Sequence, residues 1–171
     1  MRPPGLVSSG VSLAAAVLLL RVAVFNVPNP LAGPPDAVTA THILSGVLAN
    51  VNHAYVEKNP DALHQALQIV VAPDALSDVK AELDRALAIK LAGGGIARVD
   101  TVENVALKDI AAFKGRSGFR GLAEWTAKAS AGHWGHTHQR TIRFRALVEL
   151  VNDRGTWKLA GITVTDARQE M

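Results

Sequence analysis

"HTHQRTIRFRALVELVNDRGTWKLAGITVTD" (residues 136–166) decides the fold. Ile142, Phe144, Ala146, Val148 and Leu150 alternate with Arg143, Arg145 and Glu149. A period of two puts successive side chains on opposite faces, so this is a strand with one buried face. "NDRG" (152–155) is a turn, and "TWKLAGITVTD" (156–166) is the return strand of a hairpin. A hairpin alone is at best marginally stable in water, so other elements must cover its apolar face.

Upstream, the pattern is strand-like in "IARVDTVENVAL" (96–107) and in "GLAEWTAKAS" (121–130), with a loop "FKGRSGF" (113–119) between them. Further upstream it is helical. Leu44, Val47, Leu48, Val51 and Tyr55 share one face at 3.6 spacing. Asn59 and Pro60 suit the cap and first turn of a second helix, with Leu63, Leu67 and Val70 inside. Leu76, Val79, Leu83 and Leu87 line a third, with Lys90 in its last turn and Gly93, Gly94 and Gly95 as its stop. Three helices followed by about four antiparallel strands make an α+β domain, with the helices covering one face of a curved meander. It spans residues 41–168.

Residues 6–25, "LVSSGVSLAAAVLLLRVAVF", match the roughly 20 apolar residues that cross a bilayer as a helix. Arg21 would cost at least about 2.5 kcal/mol at the bilayer centre. It lies four residues before Phe25, close enough to snorkel to the interface. "NVPNPLAGPP" (26–35) carries four prolines and cannot continue a helix. The expectation is an anchor over 1–28, a Pro-rich linker over 29–40, and then the domain. A cleaved signal peptide is the competing reading, although no small-x-small site follows the apolar run promptly. Arg2 precedes the span, and the next cation after it is Lys58. The positive-inside rule then places the C-terminal domain outside the inner membrane, on a single pass.

Composition narrows the classes. Lys and Arg number 18 against 15 Asp and Glu, too mild an excess to imply nucleic-acid binding. The absence of cysteine excludes disulfides and thiolate metal sites. "AGGGIARVD" lacks the Lys-Ser/Thr of a phosphate loop and closes a helix instead of opening one. No Gly-x-Ser-x-Gly elbow and no close carboxylate pair occurs.

The chemistry concentrates in "AGHWGHTHQR" (131–140). His136 and His138 are two apart in a strand and share a face, with His133 in the preceding turn. Three imidazoles and a water could complete an open tetrahedral site for zinc or copper. The even register continues into Arg140 and the apolar residues, so the same histidines also suit a pocket rim that takes an anion or polar ligand, with Arg140 as donor. Purely structural satisfaction is the third reading and the leading one. Trp134, between the histidines, suits a sheet cap or a bilayer interface. Arg143, Arg145 and Lys128 form an outward basic stripe, which could meet anionic headgroups.

The order and lengths of these elements resemble the NTF2-like (cystatin-like) cone. "GHWGHTHQRTIRFRALVELV" and "GTWKLAG" also look like the end of uncharacterised exported domains of bacterial membrane proteins. The resemblance implies a bent sheet closed by helices around a pocket, in which one acid, here Asp100 or Glu103, could act. A fold this diverse licenses no reaction by itself. The expectation is therefore a non-catalytic ligand-binding or assembly module at the membrane. It would engage another membrane-protein subunit, with His136, His138, Arg140 and Trp134 as contacts. The alternative is a metal-handling protein using His133, His136 and His138, or a small NTF2-like enzyme.

Overall fold

The structure, a computed structural model, describes residues 33–87, 98–113, 116–133 and 136–170. Of residues 87, 98, 131–133 and 136–138 it describes the backbone alone. Helix α1 spans Ala37–Ala54, α2 spans Pro60–Val70, and a single 3-10 turn, Pro73–Ala75, leads into α3, Leu76–Leu87. Strands β1 (Arg98–Ala112), β2 (Gly118–His133), β3 (His136–Asp153) and β4 (Thr156–Glu170) follow. They form one antiparallel sheet in the order β1-β2-β3-β4.

Helix α1 opens at Ala37, inside the stretch read as linker, because Asp36 caps it. The Asp36 carboxylate accepts from the backbone N–H of Val38 and Thr39, each at 3.0 Å. The Thr39 hydroxyl also donates to it, and these bonds hold the Asp36 carboxyl below its ordinary range. Asn59 caps α2 as read, accepting from Asp61 and Ala62, with Pro60 as first helical residue. Lys90 and the three glycines lie outside the described residues. So does the span read as an anchor. Among the described residues no helix is long and apolar enough to cross a membrane.

The parity of the hairpin is as the period of two predicts. Ile142, Phe144, Ala146, Val148 and Leu150 are buried, opposite Ala123, Trp125, Ala127 and Ala129 of β2. The β3–β4 turn is the two residues Arg154 and Gly155, with φ of +53° and +89°. Two successive positive φ values match the right-handed twist of a tight hairpin. The Asn152 side chain accepts from Gly155 N–H at 2.8 Å and closes it. Leu44, Leu67, Val79, Leu83 and Leu159 complete the core from the helices and β4. Aromatic rings contribute more than their number suggests: Phe119 and Phe144 are fully buried. Trp125 stacks on Phe144 at 5.2 Å, and Phe119 tilts against Trp157 at 5.3 Å.

Two expectations need correction. The sheet is not a curved cone closed by helices. It is an open meander in sequence order, with β1 and β4 as its two edges. The helix-facing side is filled by side chains that exclude solvent, Leu44, Leu67, Phe119 and Phe144 among them, so packing occupies the space a cone would keep for a ligand.

The second correction concerns β1. It starts at Arg98, runs to Ala112, and breaks register with β2 three times, between Val99 and Thr101, Glu103 and Ala106, and Lys108 and Ala111. Asn104 and Asp109 take positive φ at two of these bulges, a conformation that Asn and Asp tolerate better than other side-chain residues. An extra residue reverses the parity of everything beyond it, so alternation along 96–107 could not assign faces. Glu103 lies on the outer face, paired with Lys128 at 2.9 Å, and Asp100 is exposed. Neither faces a pocket on the helix side.

Candidate functional site

Among the described residues, the β2–β3 pairing extends farther than that of β1 or β4. The first residue of β1, Arg98, pairs with Ser130, and the last of β4, Glu170, pairs with Thr141. Beyond those points, among the described residues, β2 and β3 pair only with each other. Ala131 is opposite His138, Gly132 opposite Thr137, and His133 opposite His136. The segment 131–140 is thus the arm in which β2 pairs with β3 at the end of the described sheet.

The arm collects the residues the sequence singled out, with one change. His133 belongs to β2 and pairs with His136, leaving Trp134 and Gly135 as the connection. Trp134 itself lies outside the described residues, as do the side chains of the three histidines. Cross-strand partners share a face, so positions 133, 136 and 138 have the parity of Arg140. Arg140 is half-buried opposite Ala129, where the arm joins the four-stranded sheet. The metal reading rests on His133, His136 and His138, whose side chains lie outside the described residues; among the described residues no three His, Cys, Asp or Glu side chains are placed to hold an ion. His53 and His64 are exposed, His64 within 3.2 Å of Gln68.

The outer face of the sheet is a charge-matched surface, not a basic stripe. Lys128 pairs with Glu103 (2.9 Å), Arg145 with Glu124 (3.3 Å) and Arg143 with Glu170 (2.6 Å). The Lys128 ammonium holds the Glu103 carboxyl below the usual glutamate range. Exposed pairs of this kind add little to stability, but they cancel the local field that would draw the face to anionic headgroups. A cleft of about 440 Å³ opens beside this face, between the start of α3 and the β3–β4 strands. Its walls include Asp74, Asp78, Arg116, Leu147, Glu149 and Gly161. A Cβ at Gly161 would come within 3.3 Å of the Glu149 side chain, so the glycine leaves room for that carboxylate. Arg116 lies between Asp74 (4.0 Å) and Glu149 (3.9 Å) and sits 4.4 Å from the centre of the Phe113 ring.

Sequence reasoning missed two residues at the sheet edge. The Glu82 carboxylate accepts the Val164 N–H at 2.6 Å, and Arg85 donates to the Val164 carbonyl at 3.1 Å. Arg85, then the Val164 N–H, lowers the Glu82 carboxyl below its ordinary value. The i, i+3 spacing of Glu82 and Arg85 reveals their own pairing, but nothing local reveals a backbone partner 82 residues away. A group with a lowered folded-state pKa contributes stability that is full above its unfolded pKa and is lost as pH falls through its folded value. Glu82→Gln should therefore cost about 1 kcal/mol at neutral pH. The loss should shrink to nothing as pH falls below the usual glutamate range. Melting temperatures between pH 7 and pH 3 would check this, and a deficit independent of pH would contradict it.

Between α1 and α3, the Tyr55 hydroxyl donates to Asp84 at 2.8 Å, and Lys80 pairs with the other Asp84 oxygen. Burial, then the Asp84 carboxylate, pushes the Tyr55 phenol well above its ordinary range. It is a neutral donor tying α1 to α3.

The chain matches no family model and no curated protein. The resemblance to NTF2-like domains, and to exported domains with a Gly-His-Trp-Gly-His segment, is therefore not upheld. One solved structure is similar in part, described as the crystal structure of the intermembrane space region of chloroplast protein ARC6. The two share 18% identity with a TM-score of 0.48, over 76% of this chain and 96% of that chain. A likeness of that order identifies neither an activity nor a partner for this chain.

Proposed function

We propose that this chain is a membrane-tethered, extracytoplasmic module for ligand binding or assembly, non-catalytic, whose contact element is the 131–140 arm. The observation that carries this reading is the ladder of β2 with β3, whose register gathers positions 133, 136, 138 and 140 on one face at one end of the sheet. The arm is the end of that ladder. Here it carries the densest cluster of polar and aromatic recognition residues in the chain, His133, Trp134, His136, His138 and Arg140. The half-buried Arg140 at its base favours an anionic or acidic contact over a cation. The apolar run at 6–25 supplies the tether, and the scarcity of cations after it supports the outward orientation.

A photo-crosslinking amino acid at Trp134 in the full chain, expressed in its native envelope, tests the reading. The expected result is a discrete adduct with one envelope component, absent when the probe sits at exposed Gln65 on α2 and lost in an Arg140→Glu background. Equal labelling from both positions, or an adduct indifferent to Arg140, would overturn it. A C-terminal reporter active only outside the cytoplasm tests the orientation separately.

A further inference from the structure

Strand β4 is an edge, and an edge offers a row of backbone donors and acceptors to any extended chain. Two points along it are filled from within the chain. At Leu159 the carbonyl accepts from Ala72 N–H at 2.9 Å, beside a single parallel bridge with Val71. At Val164 both backbone groups are taken by side chains, the N–H by Glu82 and the carbonyl by Arg85. Glu82 and Arg85 are bound to each other as well, with Arg85 Nε 2.7 Å from Glu82 Oε2. One turn of helix thus presents an acceptor and a donor side by side, the two groups a neighbouring strand would offer there.

The rest of β4 has a charge pattern that matches itself. Residues 163–170 read TVTDARQE. An antiparallel pairing of two such strands centred on Ala167 sets Asp166 of each copy opposite Arg168 of the other, and Val164 opposite Glu170. Opposite charges directly across a ladder stabilise it, and like charges destabilise it. A parallel, in-register pairing would instead stack Asp166 on Asp166 and Arg168 on Arg168. Within one copy Arg168 Nε already lies 2.9 Å from Asp166, so the groups are poised to exchange partners across a two-fold axis.

We infer that the β4 edge is a docking surface for a second copy of this chain, paired antiparallel about Ala167, and that the Glu82–Arg85 clamp on Val164 holds it closed. The clamp sits on the end of the self-complementary segment, where it blocks the last rungs of the shared ladder. Displacing it lets two sheets join edge to edge. This inference uses a different surface from the arm and stands independently of it.

The native chain has no cysteine, so a single introduced one reports without background. Ala167→Cys at the symmetry centre brings two Cβ atoms within disulfide reach in the proposed pairing. In the full chain under mild oxidation, Glu82→Ala/Arg85→Ala should raise the Ala167→Cys disulfide dimer at least about fivefold over the clamped chain. Adding Asp166→Arg should return it to the clamped level, and adding Arg168→Asp to that should restore the rise. A folded, unclamped chain with no more dimer than the clamped one overturns the inference. So does a rise that survives Asp166→Arg, or one matched by Gln65→Cys on α2. Should the double substitution fail to fold, Arg85→Ala alone frees the Val164 carbonyl while Val79 and Leu83 keep α3 docked. It should give a smaller rise, and no rise at all overturns the inference equally.

Discussion

Phe144→Ala should lower the stability of this domain by about 3–5 kcal/mol, enough to bring its melting temperature down by about 10 °C or more. Phe144 is fully buried at the middle of β3, with Trp125 of β2 on one side and Ala167 of β4 on the other. Its ring stacks on Trp125 with an interplanar angle of 13°. The cost has two parts, the lost transfer of an aromatic ring out of water and the cavity left behind. Cavity collapse is limited here. The neighbours on the same face, Ala123, Ala127 and Ala146, are too small to swing into the space, and the strand backbones are locked in a four-stranded ladder. Urea titration gives the magnitude. Trp125 gives an independent sign, because its emission should shift when the ring stacked on it is removed. A loss below about 1.5 kcal/mol would mean that the site repacks and that this part of the core is softer than its burial indicates.

Gly118→Ala should be comparably damaging, at the upper end of overpacking costs, about 3 kcal/mol. A methyl at Gly118 would lie 2.8 Å from Phe113 Cδ2 and 3.1 Å from Val151 Cα, and closer still to the Leu150 carbonyl oxygen. The phenyl ring can rotate away, but the carbonyl belongs to the β3 backbone and cannot. Relief therefore requires β2 to separate from β3 where Gly118 pairs with Val151 and Phe119 with Leu150. That movement pulls the fully buried Phe119 out of place. It also strains the loop closure, in which Phe113 N–H donates to the Gly118 carbonyl and Asn152 N–H to the Ser117 carbonyl. Thermal melting of Gly118→Ala, with hydrogen exchange along β2, checks this. A melting temperature within a degree or two of wild type would show that β2 enters the sheet with more slack than these distances allow.

Elements with a local cause could be read from the chain. Asn59 followed by Pro60 begins a helix because the cap and the fixed φ act over three residues. The tight turn at Arg154 and Gly155, and the buried parity of 142–150, follow from backbone freedom and a period of two. β1 was read as a strand, but its end and its faces were not, because three bulges reset its parity, and a bulge is stabilised by the partner strand instead of the bulged residue's own neighbours. For the candidate site, the His-Trp-Arg cluster was visible at once. The pairing of His133 with His136 across two strands was not, because strand register is set by the whole β2–β3 ladder.

The sequence by itself determined the class of the domain, three helices then an antiparallel meander, along with the capped start of its second helix, its hairpin turn and the inward face of β3. Those depend on propensity and periodicity, which act within a few residues. Only the tertiary structure decided that the sheet is open instead of cone-shaped, and that Lys128, Arg143 and Arg145 are matched by Glu103, Glu170 and Glu124. It alone decided that Glu82 and Arg85 occupy the edge of β4 at Val164. The physical reason is common to all three. Charge matching and edge protection are pairings between groups 21 to 82 residues apart, and closure, like them, is set by strand register and helix docking, so no short stretch of chain carries that information.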